Sequence, residues 1–483
     1  MGFRWHEDER ALPRRSFTFE LERPTPLLPS SYFWTWDHST NWMLDDAGMQ
    51  TSGCYNRYLK HPDTFLEDYR RLEEFAAGIG IRGIVIWGFL RDSHGGVEHA
   101  KRVAAEGRAR GLAIMPGFGV TWYGGVYYEG NHPYNLPTFL RSHPDVRMLD
   151  ADGRPTEYAG EHGACLGHPA FQAWIAEATD WLFREFDIGG VNLENGDFLV
   201  DHHPLTSALR SSWPADDPEV YFHQGQAYLQ VLSRLQRLPG DPLASYATYS
   251  GFQPTPDLAQ NAGMGTKPPA MLERLPRRSI AQWTLTGMLL PEPLPLSAYL
   301  DDGAPAPAFA NPQWPEGLRA PAPRSVGFLH QGSQWSTLSR SECVVSSIKE
   351  ACLRAYRSGL EGVAMHGEVS PRLIPYALNY LAFSHFTHRP EDTLRDFGRK
   401  TLGQLLGEAH GEDYAVALAR WDSGDYGEEV AELSDPRSHG FAGRSASSRC
   451  DTAEELQRYR FWEWLHGAVT GRRGRHHRTG LDI

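Results

Sequence analysis

Asn192 and Glu194 stand two residues apart in Gly190-Val191-Asn192-Leu193-Glu194, and in an extended strand that spacing puts both on one face, with Val191 and Leu193 on the other. The same alternation separates Ala364, His366 and Glu368 from Val363 and Met365. Gly196 lets the chain turn sharply into Asp197, and Gly367 allows close approach beside Glu368. An acid on the inner face of a strand costs free energy unless it is paired or solvated. Two strands that end this way suggest paired carboxylates with separated pKa values, the requirement of general acid and base chemistry. The plain alternative is that each acid partners an Arg or Lys, or lies on a solvated rim.

A second cluster, Trp36-Asp37-His38-Ser39-Thr40-Asn41-Trp42, sets hydrogen-bonding groups between two indoles. Sugars are bound by such mixtures, because their C–H faces stack on rings while their hydroxyls need forked donors and acceptors. Further aromatic and polar residues fall at expected strand ends: Trp87, Tyr249, Trp283, His330, Gln331 and Trp335. The chain holds 15 Trp, 20 Tyr and 22 Phe, an excess that suggests flat rings lining a site. A strand-end tryptophan can equally be barrel core, so the recurrence carries more weight than any one ring.

Other chemistries leave weaker traces. A metal-dependent barrel hydrolase would usually show His-x-His on an early strand, and none occurs. Asp201-His202-His203, His94 and His99 do not form a ligand frame. The nucleophile elbow, the phosphate-binding loop and the dinucleotide fingerprint are also missing, and Gly117-Phe118-Gly119 reads as a turn. The sequence thus calls for neither cofactor nor metal.

The elements that must position these residues alternate as βα units. Strands are expected at Tyr32–Trp36, Gly83–Trp87, Leu112–Met115, Gly190–Glu194, Ser245–Tyr249, Ile280–Thr284, Ser325–His330 and Gly362–His366. Helical spacing marks the stretches between, as with Phe65, Tyr69, Leu72 and Phe75 in the first. A long aromatic excursion runs from Gly119 to His168, and loops of that length usually have a task. Residues 290–323 hold nine prolines, which reads as a rigid insertion after strand six, with a linker as the alternative.

Eight such units predict a (β/α)₈ barrel over residues 31–389, with a doubly wound sheet as the alternative. Residues 1–30 read as an N-terminal extension, 390–470 as a helical extension and 471–483 as a frayed tail. In such a barrel the working residues project from the C-terminal strand ends.

The formal net charge of −13 argues against a surface built for nucleic acid or anionic lipid. No stretch reaches the roughly 20 apolar residues of a membrane span. The opening residues have no apolar signal core, so a cytoplasmic location is expected. The five cysteines, Cys54, Cys165, Cys343, Cys352 and Cys450, include no CxxC pair and read as reduced, mostly buried thiols.

At Gly190-Val191-Asn192-Leu193-Glu194-Asn195-Gly196-Asp197-Phe198, at Gly367-Glu368-Val369-Ser370 and at Ala377-Leu378-Asn379-Tyr380-Leu381-Ala382-Phe383, the chain resembles barrel glycoside hydrolases. The likeness is to the group around the family 20 hexosaminidases, the family 67 α-glucuronidases and their bacterial relatives. Asp37-His38-Ser39-Thr40-Asn41-Trp42 adds to it at the first strand. The resemblance implies a glycosidase acting on a carbohydrate, with Glu194 as general acid and Asp197 or Glu368 as second carboxylate. Glu292, in the Pro-rich stretch, is an outsider for that second role. Asp37, His38, Asn41, Trp87, Asn192, Tyr249, Trp283, Trp335 and His366 would bind or stack on the sugar. Two departures matter: family 20 enzymes carry an Asp-Glu pair at the end of strand four, whereas Leu193 precedes Glu194 here, against substrate-assisted cleavage of an N-acetyl sugar, and Leu199-Val200-Asp201-His202-His203 stands where some relatives carry a Cys-x-Cys segment. A carbohydrate-binding barrel without turnover and a metal-dependent hydrolase are the rival expectations.

Overall fold

The computed structural model describes residues 2–4, 16–18, 25–40, 42, 60–158, 160–195, 200–217, 219–237, 242–248, 270–286, 319–320, 322–329, 344–368, 371, 374–406 and 411–423. Eight parallel strands close into a barrel: β1 (Tyr32–Trp36), β2 (Gly83–Trp87), β3 (Ala113–Gly119), β4 (Gly190–Glu194), β5 (Leu243–Ala247), β6 (Ile280–Thr286), β7 (Ser325–Leu329) and β8 (Gly362–His366). Each strand pairs with its neighbours in sequence, and β8 returns to β1 with His366 opposite Trp34. This is the (β/α)₈ barrel the alternating pattern predicts.

The pleat sorts side chains into two cores. Phe33, Ile84, Ile86, Ile114, Val191, Leu193, Val363 and Met365 point outward into the layer beneath the helices. Tyr32, Trp34, Trp36, Val85, Trp87, Met115 and Ala364 fill the interior. Helices α1 (Pro62–Gly78), α2 (Gly96–Ala109), α3 (Pro169–Glu185), α4 (Glu219–Leu235), α5 (Val345–Arg357) and α6 (Ile374–His388) follow the apolar spacing in the sequence. On α1 the buried face includes Phe65, Tyr69, Leu72, Phe75 and Ala76, and Pro62 opens the helix where its missing N–H has no cost.

Three strands differ from expectation, β6 only by running on to Thr286. β3 continues through Pro116-Gly117 to Gly119, because the glycines admit what packs on them: a Cβ on Gly117 would lie 2.4 Å from Trp87 Nε1. β5 spans Leu243–Ala247, beginning and ending two residues earlier than expected, with Ser245 opposite Asn192. The excursion after β3 carries a helix, Leu136–Ser142, and a short hairpin of Glu157–Tyr158 with Glu161–His162. Beyond α6, Leu394, Phe397, Leu402, Ala415, Leu418 and Ala419 join the outer core from further short helices, the last being Gly411–Ser423. Near the N-terminus, Gly2–Arg4 and Ser16–Thr18 form an antiparallel pair. Among the described residues no helix is long and apolar enough to cross a membrane. Cys165 and Cys352 are free thiols, both buried; the other three cysteines lie outside the described residues.

Candidate active site

The barrel floor is organised by Asn192. Its Oδ1 accepts hydrogen bonds from the indoles of Trp34 (3.2 Å) and Trp87 (3.1 Å). Its Nδ2 donates to Ser245 Oγ (2.8 Å) and Gln282 Oε1 (3.2 Å), and Tyr32 OH donates to the same Gln282 oxygen at 2.8 Å. A carboxamide has two lone pairs and two N–H donors, so all four are satisfied by protein. Asn192 faces inward as its spacing predicts, but it ties β1, β2, β5 and β6 together beneath the mouth. Trp87 is likewise an inward ring anchored to this network.

One pleat above Asn192 stands Glu194, buried at the C-terminal end of β4, the last residue of that strand to pair with β3. Glu368, fully buried just past the end of β8, has Oε1 held by two donors: the backbone N–H of Trp36 at 3.3 Å and His366 Nδ1 at 3.0 Å. His366 packs edge-on against Trp34, with ring centroids 5.0 Å apart. His366 of β8 and Glu368 just past it thus meet the end of β1, and Glu194 stands at the C-terminal end of β4. Trp42 secures this edge from behind, donating its indole N–H to Gly367 O at 2.9 Å while its backbone N–H donates to the buried Asp68. Asp68 is in turn ion-paired with the buried Lys60.

Asp37 is fully buried; its Oδ1 is hydrogen-bonded, and its Oδ2 is within ion-pair distance of two basic side chains but outside hydrogen-bond geometry. Oδ1 lies 3.1 Å from His38 Nδ1, and Oδ2 lies 2.7 Å from Arg91 Nε and 3.0 Å from His94 Nδ1. Burial alone would raise its pKa. Arg91, His94 and the His38 hydrogen bond outweigh burial and hold the carboxyl well below the usual range. Gly88, with φ of +83°, makes room: a Cβ there would fall 2.1 Å from Asp37 Oδ1. His94 is pushed down by burial, against the pull of Asp37, so it favours the neutral imidazole.

Arg91 also joins the excursion to the mouth. It is ion-paired with Glu129, and its guanidinium lies 4.3 Å from the centroid of Tyr128. Tyr128 meets Trp36 edge-on at 6.0 Å, and Tyr123 meets Trp87 edge-on at 6.0 Å. The aromatic excursion therefore folds over the β1–β2 side of the mouth. Sequence reasoning missed Arg91. Its signal was a charged residue closing the otherwise apolar run Trp87-Gly88-Phe89-Leu90.

Trp283 is not at the mouth. Gln282 takes the inward position on β6, and Trp283 packs in the outer core, its indole donating to Ser325 Oγ at 3.0 Å. Asn41, Asp197, Tyr249 and Trp335, with Glu292, His330 and Gln331, lie outside the described residues. Among the described residues no group of three or more His, Cys, Asp or Glu side chains could hold a metal ion.

Comparison with protein-family models finds no match, and none is found among curated proteins. Solved structures similar in fold include a GH138 enzyme targeting pectin rhamnogalacturonan II, 9% identical, covering 85% of this chain and 46% of that one at a TM-score of 0.43. A GH20 exo-β-N-acetylglucosaminidase from Vibrio harveyi is 12% identical over 82% of this chain and 59% of that one, with a TM-score of 0.41. The Flavobacterium johnsoniae chitobiase is 10% identical over 89% of this chain and 60% of that one, at 0.40. The chain spans less than two thirds of the length of each of these three. The barrel assignment stands on its own strand order.

Proposed function

We propose that this chain is a glycoside hydrolase. The observation that carries the reading is that two carboxyl groups, Glu194 and Glu368, are buried at the C-terminal ends of β4 and β8, on the inner face of a barrel mouth walled by indoles. Glu194 protonates the glycosidic oxygen as the bond to the leaving group breaks. The second carboxylate attacks the anomeric carbon or takes a proton from the water that does. Glu368 is favoured over Asp197 for that second role, because two donors fix one of its oxygens and so orient the group. His38 and His366 bind hydroxyls around the reacting sugar. Asp37 shapes the mouth by holding Arg91 and His38. Trp87 and Asn192 support the floor on which the sugar rests.

A panel of methyl glycopyranosides, whose leaving group must be protonated, tests this. A substrate turned over by the wild type should lose about 10²–10⁴-fold in turnover with Glu194→Gln, and comparably with Glu368→Gln, while sugar binding persists. A wild type that binds sugars and turns none over overturns the hydrolase reading in favour of a carbohydrate-binding barrel.

A further inference from the structure

The geometry points to Trp36 as a substrate-binding residue whose indole N–H donates to an oxygen of a pyranose seated beside Glu368; this rests on the carbohydrate reading of the mouth. β1 sends three aromatic donors inward in successive layers. Tyr32, in the lowest, donates to Gln282, and Trp34, in the next, donates to Asn192. Trp36, in the topmost, is 4% exposed, and no acceptor among the described residues meets its Nε1. A buried donor left without an acceptor costs about 1–3 kcal/mol, so this indole, above two layers of β1 donors that are paired, calls for a partner beyond those the described residues supply.

The position of Trp36 says what that partner is. Its backbone N–H holds Glu368 Oε1, so the residue is fixed against one of the two acids. Its ring is enclosed by Trp34 (5.5 Å), Trp87 (5.2 Å), His38 (5.4 Å) and Tyr128 (6.0 Å) between centroids. Indole is a donor only, so the ligand atom must be an acceptor, as a hydroxyl or ring oxygen is. The flat walls suit the C–H faces of the same sugar. An indole here rewards an acceptor at one position of the pyranose and penalises its replacement by hydrogen, which makes Trp36 a determinant of which sugar fits.

The test uses full-length protein labelled with [¹⁵N]tryptophan and carrying Glu194→Gln to prevent turnover. The Trp36 indole resonance is assigned by its loss in Trp36→Phe, and methyl α- and β-glycopyranosides are titrated in. The expected result is a saturable shift of the Trp36 N–H on sugar binding, and a roughly tenfold weaker Kd in Trp36→Phe. A sugar that binds both proteins equally and leaves the Trp36 resonance unmoved overturns the proposal and leaves the carbohydrate reading intact. That outcome would assign the indole proton to solvent. If no glycoside in the panel binds even the protein with Trp36 intact, both the carbohydrate reading and the role of Trp36 fall.

Discussion

The floor and the mouth of this barrel are built by the same alternation and end up chemically opposite. On the floor, Tyr32, Trp34, Trp87, Asn192, Ser245 and Gln282 satisfy one another across five strands. One pleat higher, Trp36 Nε1 has no acceptor among the described residues, and two carboxyl groups crowd the strand ends. A buried polar network whose members are all paired fixes strand positions, whereas polar groups kept for an outside partner do so at a cost in stability. On the proposed reading, the contrast separates residues that hold the site from residues that work in it.

The largest expected effect is on chemistry alone. Glu194→Gln should abolish most turnover while leaving the unfolding midpoint within about 1–2 °C of wild type, because a mouth residue is not a support. A large loss of stability would move Glu194 to the floor side of the comparison.

Asp37→Asn should have the reverse signature, costing about 3–5 kcal/mol in denaturant unfolding, since it leaves Arg91 buried beside a neutral group. The pH dependence follows from the sign of the shift. The folded pKa of Asp37 lies well below its ordinary value of 3.8, so its contribution is complete above that value and is lost as pH falls through the folded pKa. Wild-type stability should decline on acidification below pH 3.8 partly for this reason, and the Asn variant should lack that part of the decline.

Two phenylalanine substitutions on one strand sharpen the comparison further. Trp34→Phe removes a donor from Asn192 and should cost about 1–3 kcal/mol of unfolding free energy. Trp36→Phe removes a donor that has no acceptor among the described residues, and relief of that unpaired donor offsets the lost ring area, so the net change in stability should be less than about 0.5 kcal/mol. Equal losses at the two sites would erase the distinction between floor and mouth.

Much of this was legible in the sequence. The inward phase of β4 and β8 could be read because Val191 and Leu193, and Val363 and Met365, are apolar on one face only. β6 gave no such signal, since Ile280, Ala281 and Trp283 are apolar on both faces, and Trp283 was assigned to the mouth when Gln282 holds the inward position. Asn192 was placed on the correct face, but its four partners come from β1, β2, β5 and β6, and only the closed barrel brings them together. Arg91 sits in a loop, where no periodicity marks a residue, and its pairing with Asp37 joins positions on two different loops. The departure at β3 arose because Pro116 and glycine usually end strands, whereas here Gly117 is the hollow that receives Trp87.

The central claim, that Glu194 is the acid protonating a leaving group, is tested most directly by varying that leaving group. Glycosides of one accepted sugar carrying methanol or 2,4-dinitrophenol as leaving group would be compared between wild type and Glu194→Gln. The expected result is a loss of about 10²–10⁴-fold with methanol and a far smaller loss with dinitrophenol, which departs without protonation. An equal loss with both, or none with either, would contradict the assignment.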